Sequence, residues 1–167
     1  MRRRVGSRLE LGPLLAITAG EDALSSVESC VRAAIDYFRR TDGSAPAGRI
    51  ALDRLAEALA DDGRRLFVLA PPGQRPCGLL ELVLECPEPG EITLALLVFA
   101  REARGRGLGG ELARNLFAHL RRCGYHTLRL GVAADEDGAA RFWSSVGLTE
   151  CGRSGGVRLF ELALGSE

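Results

Sequence analysis

The segment Arg104-Gly105-Arg106-Gly107-Leu108-Gly109-Gly110 decides how this chain is read. It follows an apolar run, Glu91 to Phe99, and opens the strongest amphipathic pattern in the sequence, Gly107 to Cys123. Within that pattern Leu108, Leu112, Leu116 and Leu120 recur every four residues with Phe117 beside them, the signature of a helix with one buried face. Glycines admit positive φ and let a ligand approach the main chain with no Cβ in the way. The first-turn N–H groups of a helix have no intrahelical acceptor and can hold an anion, and Arg104 and Arg106 add charged donors. A tight connection with solvent-facing arginines explains one glycine well, but four glycines between 105 and 110 less well. A dinucleotide site wants its glycine loop after an early parallel strand, and a P-loop wants Gly-Lys-Ser/Thr; neither fits.

Working outward, the elements on either side define the sheet. Leu66–Ala70, Gly78–Glu85 and Glu91–Phe99 read as three closely spaced strands, an antiparallel meander. Thr127–Ala133 reads as a strand, Ala139–Val146 as a helix and Val157–Leu164 as a final strand. Strand, helix, strand across 91–133 is a crossover, so part of the sheet is parallel. Upstream, Leu9–Ile17 reads as an edge strand interrupted by Gly12-Pro13. Leu24, Val27, Val31, Ile35 and Phe38 set a helix over about 22–40, and Ile50, Leu52, Leu55 and Leu59 set a second over 50–60. The whole is one mixed α/β domain over 1–167, with 1–7 as a flexible tail.

The 167 residues suffice for one core, and 46% apolar with 26% charged is a globular composition. The chain has no lysine, so its 22 basic residues are all arginine, and they balance 22 acidic ones. That excludes a lysine Schiff base or Walker lysine and argues against broad attraction to nucleic acid. Arg2, Arg3, Arg4 and Arg8 have no apolar run behind them, so they do not read as a signal peptide. No stretch approaches the roughly 18–20 apolar residues that cross a bilayer. Five scattered cysteines without a CxxC pair, and His119 and His126 with no metal-like spacing, fit a reducing, cytoplasmic setting with no metal site. Cys77, Cys86 and Cys123 read as small hydrophobes, and the two histidines as boundary or cap residues.

The residues at 104–109 match Arg/Gln-x-x-Gly-x-Gly/Ala, and Ala139-Ala140-Arg141-Phe142-Trp143-Ser144-Ser145-Val146-Gly147-Leu148 matches Ala-x-x-Phe-Tyr-x-x-x-Gly-Phe. With the two motifs in this order, the chain resembles the GCN5-related N-acetyltransferase (GNAT) family, most strongly over 78–150. The resemblance implies a mixed, mostly antiparallel sheet with a splayed parallel strand pair and flanking helices. It also implies an acetyl-coenzyme A site. The backbone of Arg104, Gly105, Arg106, Gly107, Leu108, Gly109 and Gly110 would hold the pyrophosphate. Leu97, Val98 and Phe99 would pair with the pantetheine arm, with an N–H near Val98 facing the thioester oxygen. Glu136, Ala139, Phe142 and Trp143 would complete the coenzyme side. The acceptor would be a primary amine on a small molecule or peptide, met by residues 1–65 and 71–90, and a homodimer through the final strand is a family expectation.

Acetyl transfer to an amine needs a neutral nucleophile, an oxyanion donor and a route for protons. The resemblance implies Glu91 as the base candidate, since many family members carry a glutamate near the start of this strand, often acting through water. Glu91 lies about two residues earlier than is typical, and strand alternation puts Glu91, Thr93, Ala95, Leu97 and Phe99 on one face. Glu81, inside Leu79-Leu80-Glu81-Leu82-Val83-Leu84, is its rival as base or charge partner for the amine. Two positions depart from the family. Trp143 stands where a tyrosine often serves as general acid, which leaves Ser144 or water as substitute, and Glu136 stands where asparagine is common. Both departures keep an acyl-coenzyme A sensor open as the alternative to an enzyme.

Overall fold

The computed structural model describes residues 4–165. Eight strands form one sheet: β1 (Arg8–Leu11), β2 (Leu14–Thr18), β3 (Arg64–Ala70), β4 (Gly78–Leu84), β5 (Glu91–Phe99), β6 (Thr127–Ala133), β7 (Thr149–Ser154) and β8 (Val157–Ala163), in the order β1-β2-β3-β4-β5-β6-β8-β7. Every neighbouring pair is antiparallel except β5 and β6. The helices are α1 (Leu24–Ala33), α2 (Ile35–Thr41), α3 (Ala47–Ala60), α4 (Leu108–Arg122) and α5 (Asp137–Ser145). This is the mixed α/β architecture read from the sequence.

Two apolar layers sandwich the sheet. On one face Val27, Val31, Phe38, Ile50 and Leu55 pack onto Leu66, Leu79, Leu96 and Val98. On the other, Leu112, Leu116 and Leu120 of α4 and Trp143 of α5 pack onto Phe67, Leu80, Ile92, Leu128 and Phe160. Val5, inside the segment expected to be a tail, is 6% exposed and belongs to this second layer; residues 1–3 of that segment lie outside the described residues.

Three elements differ from the sequence reading. The expected strand over Leu9–Ile17 is a hairpin, because Gly12-Pro13 turns the chain instead of interrupting it, and β1 pairs back onto β2 from Arg8↔Ile17 to Leu11↔Leu14. The expected helix over 22–40 breaks at Ala34 (φ −121°, ψ 27°). The apolar spacing runs through that break, since Phe38 on the far side is fully buried, so periodicity could not report it. β7 went unseen, because Thr-Glu-Cys-Gly-Arg-Ser carries no apolar alternation and all six residues are exposed.

One irregularity matters for the site. Opposite Glu81 and Leu82 of β4, the β5 partners are Leu96 and Leu94, so Ala95 is an extra residue, a β-bulge. Ile92 and Leu94 pack into the α4 layer, whereas Leu96 and Val98, still even-numbered, pack into the α1–α3 layer. The bulge therefore reverses the facing of the strand at its midpoint. Glu91 and Thr93 do not share a face with Leu97 and Phe99, contrary to strict alternation.

Candidate functional site

β5 and β6 pair only through Glu91↔Thr127, Ile92↔Leu128 and Thr93↔Arg129. Beyond Thr93 no ladder joins them, and the strands part along Leu94–Phe99 on one side and Leu130–Ala133 on the other. A cavity of about 760 Å³ fills the gap and runs out over the glycine loop. Its size suits an extended organic ligand, and its walls are mainly apolar side chains crossed by main chain lacking a strand partner.

The loop builds the polar end. Gly105 and Gly107 sit at φ +74° and +76°, the left-handed region where an L side chain is strained. Gly107 is the N-cap of α4, so the N–H groups of Leu108, Gly109 and Gly110 project from the first helical turn without intrahelical acceptors. At Gly109 a Cβ would come within 3.2 Å of the Phe142 ring, and the missing side chain lets the start of α4 approach α5. These features fit a pyrophosphate at the loop and an amide-bearing arm between the strands.

The coenzyme-side residues named from the sequence come together here. Leu97, Val98, Phe99, Arg104, Gly105, Gly107, Leu108, Gly109, Gly110, Glu136, Ala139, Phe142 and Trp143 all line the cavity. Arg106 does not; it is exposed. Arg104 lines the cavity, but its guanidinium is already engaged: Nε donates to the Phe99 carbonyl at 3.0 Å, and both terminal nitrogens donate to the Asp36 carboxylate at 2.6 and 3.0 Å. Trp143 is 7% exposed and meets Phe142 edge-on with ring centroids 4.9 Å apart, so its bulk closes the α5 wall.

The three catalytic candidates are not brought to the cavity wall. Glu91 lies at the paired end of the strands, where Arg129 grips both carboxylate oxygens at 3.0 and 3.2 Å. That hydrogen-bonded guanidinium holds the Glu91 carboxyl below the usual range, which weakens it as a base. Arg129 also donates to Glu161 at 2.8 Å. Glu81 is 1% exposed beneath α3, receiving Arg64 at 2.7 Å and Arg54 at 3.4 Å. It is the anionic centre of a buried ion cluster. Ser144 sits on the exposed side of α5.

What sequence reasoning missed is α2. Tyr37, Arg40 and Thr41 line the cavity from that helix. Among the described residues, Tyr37 and Thr41 are the wall residues that carry hydroxyls, and the Thr41 hydroxyl already donates within its own helix end, to the Tyr37 carbonyl at 3.4 Å and Asp42 at 2.8 Å. Burial is the largest influence on the Tyr37 phenol and pushes its pKa up, so it stays protonated at neutral pH. Arg40 crosses to Glu136, Nε to Oε1 at 2.8 Å. The one sequence signal for these residues was their place beside Phe38 at the end of an amphipathic run, which is no more than a helix face.

The sequence profile of the Acetyltransferase (GNAT) family matches residues 28–148. Among solved structures, the fold is similar to an acetyltransferase from Thermus thermophilus, with a TM-score of 0.82 and 23% identity over 93% of this chain and 99% of that one. It is also similar to spermidine N-acetyltransferase from Vibrio cholerae in complex with CoA and spermine (TM-score 0.72, 16% identity, 91% and 96% covered). A third likeness is to RimL, a ribosomal L7/L12 alpha-N-protein acetyltransferase in complex with coenzyme A (TM-score 0.75, 11% identity, 93% and 97% covered). No curated protein sequence matches the chain. With more than half of its length matching the family profile, and with the family's glycine loop seated at the mouth of a splayed strand pair, the chain belongs to the GNAT family of acetyltransferases.

Proposed function

We propose that the protein is an N-acetyltransferase that moves an acetyl group from acetyl-coenzyme A to a primary amine of a small molecule or peptide. The observation that carries this reading is the parting of β5 and β6 after Thr93, with the glycine loop at one end of the resulting cavity. Acetyl-coenzyme A supplies the acetyl group as an activated thioester. The loop N–H groups of 105–110 hold its diphosphate, and main chain of 94–99 receives its amides. An N–H of β5 facing the gap, near Val98, stabilises negative charge on the carbonyl oxygen during attack.

The amine lone pair forms the new N–C bond as the C–S bond breaks, and the ammonium proton leaves to water. Glu91, kept ionised by Arg129 and set back from the cavity, reaches that proton only through water. Tyr37 is the wall residue able to give a proton to the departing sulfur, recovering it from solvent. Trp143, at the position where a tyrosine is common in the family, shapes the wall. Its indole N–H is no proton source at neutral pH.

Calorimetry with coenzyme A, paired with thiol release from acetyl-coenzyme A across a panel of polyamines, amino acids and peptide N-termini, tests this reading. Micromolar binding with amine-dependent thiol release is the expected result. Absence of binding refutes it. Tight binding with no release across the panel would identify an acyl-coenzyme A-binding sensor instead, the reading that the residues at 143 and 136 keep open.

A further inference from the structure

The strand gap raises a mechanical question. Above Thr93 no ladder fixes the distance between β5 and β6, yet a cavity that grips an extended ligand through main chain needs its two walls at a set separation. Helix α2 reaches both walls. From its first turn, Asp36 takes a bidentate pair from Arg104, whose Nε is tied to the Phe99 carbonyl at the end of β5. From its last turn, Arg40 pairs at 2.8 Å with Glu136, just beyond the end of β6 and at the start of α5. Both pairs flank Tyr37, Thr41 and the cavity beneath them.

The back of α2 is anchored, as a strut requires. Phe38 is fully buried, the Arg54 guanidinium lies 5.3 Å from its ring centroid, and Arg54 also holds Asp42 at 3.4 Å. Arg39 donates to the carbonyls of Gly43 and Ala45. The two outer pairs are partly exposed, with side chains between 29% and 53% accessible. Exposed ion pairs contribute little to stability, so their place across the gap is better accounted for by geometry.

We infer that α2 is a brace across the open strand pair, and that Asp36 and Arg40 are positioning residues that set the width of the donor cavity through Arg104 and Glu136. The inference rests on the acyl-donor reading above. Arg104 accordingly acts as the joint between brace and loop, with its side chain turned to Asp36 and Phe99.

The test measures coenzyme A affinity by calorimetry, and donor KM and kcat where turnover is found, for the wild type, Asp36→Asn, Arg40→Gln, the double variant, and the charge-keeping Asp36→Glu and Arg40→Lys. The double variant binds coenzyme A about fivefold more weakly, as expected for two partly exposed ion pairs. Its donor KM rises by a larger factor than its kcat falls, and its melting midpoint moves by less than about 3 °C. Asp36→Glu and Arg40→Lys stay within about twofold of wild type. Unchanged affinity in the double variant overturns the brace, as does a charge-keeping variant as weak as its neutral counterpart. A fall in midpoint beyond about 5 °C that carries the affinity loss with it also overturns it, since the pairs would then serve folding. A wild type that binds no coenzyme A refutes the donor reading and the brace together, which separates that failure from the others.

Discussion

Gly107→Ala isolates the contribution of the loop conformation. Gly107 sits at φ +76° with no atom within 4 Å of where a Cβ would stand, so alanine meets no clash and incurs only the left-handed backbone penalty. That penalty is about 1–2 kcal/mol for an L residue. The free protein relieves it by letting the loop relax toward negative φ, which turns the first-turn N–H groups of α4 away from a common point. Binding the diphosphate must restore the strained form, so the penalty appears in the affinity as about a 5- to 30-fold rise in the coenzyme A dissociation constant. Gly73, in the turn between β3 and β4, provides the control. It has φ +70°, equally open surroundings and no part in the cavity. Gly73→Ala carries the same backbone cost, lowers the melting midpoint by roughly 2–8 °C, and leaves coenzyme A affinity unchanged. Calorimetry and thermal melts on both variants decide the matter. Equal affinity of Gly107→Ala and wild type, or equal weakening by Gly73→Ala, would refute the assignment of the loop as the anion cradle.

Three further outcomes are expected. Tyr37→Phe lowers kcat by about 100-fold or more while leaving coenzyme A affinity within about twofold, and unchanged kcat would remove Tyr37 from proton transfer. Glu81→Ala leaves Arg64 and Arg54 without their shared carboxylate under α3 and destabilises the fold by about 3 kcal/mol in denaturant melts, with donor affinity retained in the folded fraction. Burial pushes the Cys30 thiol up to about 11 from an ordinary value of 9.0. Between those values the unfolded chain has released that proton and the folded one still holds it, so stability falls as pH rises from 9.0 to about 11. Cys30→Ala flattens that alkaline decline relative to its own value at neutral pH, and an identical slope in the two proteins would show that Cys30 is not its source.

Much of this protein is legible in one dimension because the determining interactions are local or periodic. The four-residue leucine spacing of α4, the three-strand run from 66 to 99, and the glycines at 105 and 107 each report a conformation that neighbouring residues alone impose. Even the crossover from β5 to β6 follows from element order. The family resemblance named a set of residues for the coenzyme, and all of them but Arg106 line one cavity. No described helix is long and apolar enough to span a membrane.

What only the tertiary structure decided depends on pairs far apart in sequence. Period-two reasoning carried Glu91 onto the face of Leu97, but the bulge at Ala95 is set by how β5 packs against β4, and one extra residue reverses every side chain beyond it. The fates of Glu81 and Glu91 were sealed by Arg64 and Arg129, 17 and 38 positions away, which turn two candidate bases into ion-pair partners. Asp36 meets Arg104 across 68 positions. A sequence shows which groups can carry charge or donate a hydrogen bond. Only the folded chain settles which of them direct that capacity at each other and which keep it for a ligand.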